Sequence, residues 1–271
     1  MLVALLVALT LALTPFAVAD PRADAPRAPV RALFIGNSAT YYNNLPRLTA
    51  ALAASAADAR RLETEMITVG GATLKRHWDD GIALAAIRRG GWQYVVLQEQ
   101  TTLGPIRTPG IKVNDPAMFH DYARRFDAEI KRAGATTVFF LTWARRDRPQ
   151  TQAAITRAYT MIAAELGARV APVGVAWERA LSSNPALALH HADNIHPTPA
   201  GSYLAACVLY ATLFDATPVG VSARIIGKPV DGKGQIGGAD VTLVDLDPVT
   251  AMAFQRIAWE SARVAQTPVI H

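Results

Sequence analysis

From residue 30 onward, short apolar or alternating runs are separated by longer stretches in which apolar side chains recur every third or fourth position. The first kind predicts strands over residues 30–35, 63–69, 94–98, 136–142 and 169–173. The second predicts helices over 45–57, where Pro46 fits a first turn, 73–88, 117–133 and 151–166. A further helix is expected over 200–214. Strand and helix alternating in this way imply right-handed crossovers and a parallel sheet covered on both faces. Ligands of such a sheet bind beyond the carboxyl ends of its strands, where Ser38, Gly70, Gln98 and Trp143 fall.

The pattern changes beyond Phe214. A strand is expected near 219–226, a Gly-rich surface loop over 227–238, and a closing helix over 247–265 with Asp247 as its cap and Pro248 in its first turn. Residues 30–215 therefore read as one domain, with 216–271 an extension packed on it. At the other end, Met1 to Ala19 contain no charged side chain and close on Ala17-Val18-Ala19, a small-x-small cleavage pattern. Export to the periplasm or medium is expected, with a Pro- and Ala-rich spacer over 20–29. No Lys or Arg precedes the apolar stretch, which leaves a retained anchor open. No later segment is apolar for long enough to span a bilayer, so no stable membrane insertion is expected after removal of the signal.

Composition adds little that the pattern does not already say. An apolar share of 51% in 271 residues is enough for a sizeable core. The net charge of +5 is spread over pairs such as Arg60-Arg61, Arg88-Arg89 and Arg124-Arg125, without interleaved aromatics, so nucleic acid is not an expected partner. Cys207, the single cysteine, lies in an apolar helical run and reads as core.

The chemistry lies in two short segments. Asp193-Asn194-Ile195-His196-Pro197 puts a carboxylate and an imidazole three residues apart, and Ser38 follows the first strand in Gly36-Asn37-Ser38. A serine hydroxyl needs a base to take its proton, and an imidazole serves when a carboxylate fixes its tautomer. Ser38, His196 and Asp193 together thus predict a nucleophile, its base and the base's orienting partner.

These two segments resemble the SGNH, or GDSL, hydrolase superfamily, whose first block is a strand followed by Gly-Asp-Ser and whose fifth is Asp-x-x-His-Pro before a helix. The Tyr41-Tyr42-Asn43-Asn44 continuation looks like that of bacterial members with Gly-Asn-Ser. The resemblance implies a three-layer α/β/α, flavodoxin-like fold with a five-stranded parallel sheet, and an oxyanion hole built from the Ser38 N–H, an N–H of Gly70 or Gly71, and a side-chain amide from the third block. That block, usually Gly-x-Asn-Asp, is absent here. Leu97-Gln98-Glu99-Gln100-Thr101 stands in its place, and Gln98 is favoured over Gln100 as donor because it lies nearer the strand end. Asn37 is expected to organise the turn and, with Tyr41 and Trp143, to line the substrate cleft.

Competing readings are weaker. His190, His191, Asp193 and His196 match no metal-ligand spacing, so no metal or cofactor is expected. Glu99 has no partner at fixed spacing and reads as a strand-end carboxylate, His77 as a helix histidine. The expected function is an exported serine esterase acting on small acyl esters, with O-acetyl groups on carbohydrate the favoured substrate. The alternatives are a short-chain lipase-like or thioester hydrolase, or a carbohydrate-binding protein that kept the scaffold without the chemistry.

Overall fold

The structure, a computed structural model, describes residues 28–101 and 116–266. Five strands form one parallel sheet in the order β2 (Leu62–Thr68), β1 (Val30–Gly36), β3 (Tyr94–Leu97), β4 (Thr136–Phe140) and β5 (Arg169–Ala171). Because both faces are covered, alternate residues of one strand enter different cores: Ala32 and Phe34 of β1 point to one, Leu33 and Ile35 to the other. Helices α3 (Leu74–Asp80), α4 (Ile82–Arg89), α5 (Pro116–Arg132) and α6 (Gln152–Leu166) supply the second of these. Helices α2 (Leu45–Ser55), α7 (Val173–Ser183), α8 (Pro199–Phe214) and α9 (Pro248–Gln266) supply the first. The result is the three-layer α/β/α fold.

Helix α8 is apolar around its whole circumference, and residues 201–214 are all buried. The extension is what covers its outer side: Gln255 of α9 donates to the Tyr203 hydroxyl at 2.7 Å and to the Val221 carbonyl at 3.0 Å. Cys207 lies on this buried helix, and desolvation pushes its thiol well above the usual range. Asp247 caps α9 by accepting from the N–H groups of Val249 and Thr250 at 3.0 and 2.9 Å.

Three elements differ from the sequence pattern. The helix expected over 73–88 is two, because Gly81 takes the left-handed conformation (φ 74°) that ends α3 before α4 begins. The last strand of the sheet stops at Ala171, and Val173, Ala176, Trp177 and Ala180 are the buried stripe of α7, which the strand assignment over 169–173 hid. The strand expected near 219–226 starts at Arg224, after a turn closed from Val221 N–H to Pro218 C=O, and this β6 (Arg224–Gly227) forms an antiparallel hairpin with β7 (Val241–Asp245). The signal segment lies outside the described residues. Among those described, no helix is long and apolar enough to cross a membrane.

Candidate active site

Ser38 opens α1 (Ser38–Tyr41), one helical turn set against the end of β1. Its N–H, at the first helical position, has no acceptor within that turn. Asn37 holds the turn. Its side-chain oxygen accepts from the Ala39 N–H at 3.1 Å, and its amide donates to the Ala72 carbonyl at 2.9 Å, tying the loop after β1 to the loop after β2. Gln98 holds it from beneath: its carbonyl accepts from the Asn37 N–H at 2.8 Å and from the Thr40 hydroxyl at 2.9 Å, while its amide donates to the Glu99 carbonyl. Only glycine fits at position 36, since a Cβ would lie 2.4 Å from Thr40 Oγ1 and 2.5 Å from Gln98 Oε1.

The loop after β5 and α7 brings the other two groups. Ser38 Oγ lies 2.9 Å from His196 Nε2, and His196 Nδ1 lies 2.6 Å from Asp193 Oδ2. An ionised carboxylate only accepts, so Nδ1 carries the proton and Nε2 is left to accept from Ser38. Burial raises the Asp193 pKa, but hydrogen bonds from the His196 ring and from the N–H groups of His196 and Ile195 prevail and hold it at about 2. The loop itself is anchored at 2.9 Å by the Trp143 indole N–H to the Ile195 carbonyl, at 3.0 Å by the Arg146 N–H to the Asn194 carbonyl, and at 3.0 Å by the Asn43 amide to the Pro197 carbonyl.

A cavity of about 50 Å³ opens in front of this hydrogen-bonded chain, bordered by Asn37, Ser38, Gly71, Gln100, Arg145 and His196 among others. Of the two glycines after β2, Gly71 is the one at the cavity; Gly70 lies beside the Tyr41 hydroxyl. Gln98 is fully buried with both amide atoms engaged, so the preference for it over Gln100 as side-chain donor is corrected: Gln98 braces the serine turn, and Gln100 borders the cavity.

Tyr41 and Trp143 do not line the cleft either. The Tyr41 ring is buried and its hydroxyl donates to the Gly232 carbonyl at 3.0 Å, pinning the Gly-rich loop. Trp143 stacks on Trp177 with ring centroids 4.1 Å apart and borders a second, larger cavity of about 480 Å³ beyond Arg145, which touches neither Ser38 nor His196.

Two further residues reach the site. Tyr42 stacks on the His196 ring, centroids 4.1 Å apart and planes 6° from parallel. Its mark in the sequence is the Tyr41-Tyr42-Asn43-Asn44 continuation, which does not say what the ring meets. Arg145, paired to Asp147 at 2.9 Å, borders both cavities; in sequence it belongs to the basic run Arg145-Arg146-Asp147-Arg148 after the fourth strand, which reads more readily as a polar loop than as a hold on an acidic substrate.

No protein-family model matches the chain, and neither does any curated protein. Solved structures do. A candidate SGNH hydrolase from Slackia heliotrinireducens is 28% identical, with 69% of this chain and all of that one covered at a TM-score of 0.55. The fold is that of the SGNH hydrolases. A DUF4886 family protein from Bacteroides uniformis covers more, 86% of this chain and 95% of its own, at 17% identity and a TM-score of 0.62. An acetyl-xylooligosaccharide esterase from a Geobacillus is 15% identical over 70% of this chain and 95% of its own, with a TM-score of 0.51. The likeness to the Slackia protein supports a hydrolase of the SGNH type, and the remaining neighbours show the same fold.

Proposed function

We propose that the chain is an exported serine esterase in which Ser38 is the nucleophile, His196 its base and Asp193 the group that orients the base. The observation that carries the reading is the continuous hydrogen-bonded path from Ser38 Oγ through the imidazole to a carboxylate, at 2.9 and 2.6 Å. As Ser38 Oγ attacks the ester carbonyl carbon, its proton passes to His196 Nε2, and the carbonyl oxygen becomes an oxyanion. The imidazolium then gives that proton to the leaving alcohol, the C–O bond breaks, and an acyl-serine remains. Water, deprotonated by the same nitrogen, attacks the acyl-serine and restores Ser38. Ser38, Gly71 and Gln100 border the cavity, and in this reading the N–H groups of the first two and the Gln100 side chain donate to the oxyanion.

The small volume beside Ser38 favours a short acyl group, and an acetyl group on carbohydrate is the preferred substrate. Hydrolysis of p-nitrophenyl esters of increasing chain length, and acetate release from acetylated oligosaccharides, test the assignment. Turnover should be greatest for acetyl and fall to background in Ser38→Ala. If no acyl ester of any length is hydrolysed, the catalytic reading fails and a binding protein on this scaffold takes its place. A preference for long chains would instead point to a lipase-like enzyme.

A further inference from the structure

Glu99 is a buried carboxylate beside the site that the proposed reaction does not use. It follows β3 and is 1% exposed. Its two oxygens reach different loops: Oε2 accepts from the Leu74 N–H at 3.0 Å, at the end of the loop that carries Gly71, and Oε1 accepts from the Gln100 N–H at 2.6 Å. Its own peptide N–H donates to the Tyr159 hydroxyl at 2.9 Å, so the residue is fixed at its backbone as well as its side chain. Gly71 and Gln100 both border the cavity that Ser38 borders. The carboxylate thus ties together the two loops from which these cavity residues come.

We propose that Glu99 is a positioning residue for the esterase site, whose ionised carboxylate clamps the loop after β2 to the loop after β3 and whose protonation releases one of them. A carboxylate accepts strongly on both oxygens, whereas protonation leaves one of them a hydroxyl that accepts only weakly and carries an O–H needing an acceptor of its own. The backbone bond to that oxygen is the one that loosens. Desolvation pushes the Glu99 pKa up to about 7, against the two N–H groups that favour the ionised form, so the release falls in an accessible pH range.

Among the described residues, the groups that bond to the Glu99 carboxylate are the two backbone N–H groups, and no charged side chain is among them. Tyr159, from α6, is the titratable partner in contact, and burial keeps its phenol neutral. His77 of α3 engages the Gly36 carbonyl at 2.8 Å, and His120 of α5 engages the Ala158 carbonyl at 2.8 Å. Lys75 and Arg76, which follow Leu74, are turned onto Asp79 and Asp80.

The kinetic arm of the test rests on the proposed esterase; the spectroscopic arm does not. In the ¹⁵N-labelled full chain, the amide resonances of Leu74 and Gln100 should titrate together with one midpoint near pH 7, and in Glu99→Gln neither should. In the same variant kcat should fall by about tenfold at pH 8 with KM nearly unchanged, because geometry rather than ground-state binding is lost. The acid limb of the kcat–pH profile should become less steep than in the wild type.

Glu99→Asp, one methylene short of spanning both loops, should share the defect. Amides that titrate apart or not at all in the wild type overturn the clamp, whether or not Glu99→Gln folds. A joint titration without hydrolysis of any ester leaves the clamp standing and removes the esterase. A joint titration with kcat unchanged in Glu99→Gln overturns the positioning role.

Discussion

At the scale of single residues, the site depends on groups that act through one another. Asp193→Asn keeps the shape of the loop but removes the carboxylate that makes Nδ1 the protonated nitrogen, so kcat should drop by on the order of 10³–10⁴. Adding Ser38→Ala to it should lower the rate little beyond Ser38→Ala alone; additive losses, read in the double variant, would mean the residues do not work as a unit. Tyr42 offers a ring face to His196, which the proposed reaction would make a cation. Tyr42→Leu should therefore lower kcat by up to about 30-fold, the size of a cation–π contact, while Tyr42→Phe stays close to wild type. Equal losses in the two variants would assign the effect to the hydroxyl instead of the ring.

At the scale of elements, the turn from Gly36 to Asn44 joins the parts of the molecule that meet at the site. Asn43 and Asn44 both sit at φ 52°, a conformation that asparagine tolerates better than most residues. Their amides reach the Pro197 and Lys228 carbonyls, binding the turn to the histidine loop and to the extension. The underside of the same turn rests on Gln98, in the space left by the missing side chain of Gly36. Gly36→Ala drives a methyl group into that contact and should cost about 1–3 kcal/mol, seen as a lower denaturation midpoint with an unchanged slope. Activity should fall with it. An unchanged midpoint would mean that Gln98 can move aside without loss.

At the scale of the whole molecule, pH acts on stability with opposite signs at the two acids. Asp193 has a folded pKa of about 2, below its ordinary value, so its contribution is present at neutral pH and is lost only in strong acid, between about pH 4 and 2. Glu99 is raised to about 7, so its protonated form is the one folding favours. Its contribution is complete below about pH 4.5 and is lost as pH rises to about 7. Measured as melting temperature from pH 5 to pH 8, the difference between Glu99→Gln and wild type should move in the variant's favour. A difference that does not change with pH would show that Glu99 does not titrate in that range.

Periodicity along the chain was enough for the parallel sheet and most of its flanking helices, because a strand buried on both faces and a helix with one apolar stripe each leave a mark in consecutive residues. Ser38, Asp193 and His196 were legible for a similar reason: each sits in a short segment whose neighbours are fixed by local geometry. The partition of α3 from α4 and the existence of α7 were written locally too, in Gly81 and in the stripe from Val173 to Ala180, but neighbouring signals covered them.

What the chain order does not contain is the meeting of distant segments. Whether Gln98 or Gln100 faces the cavity is settled by the space above Gly36, which draws the Gln98 side chain beneath the serine turn. That Tyr42 stacks on His196, 154 positions away, and that Glu99 bridges two loops depend on how β1 and β3 lie side by side and on where the histidine loop returns. Those are properties of packing in three dimensions. Side-chain type and spacing set what each segment can offer, and only the folded chain sets which offers meet.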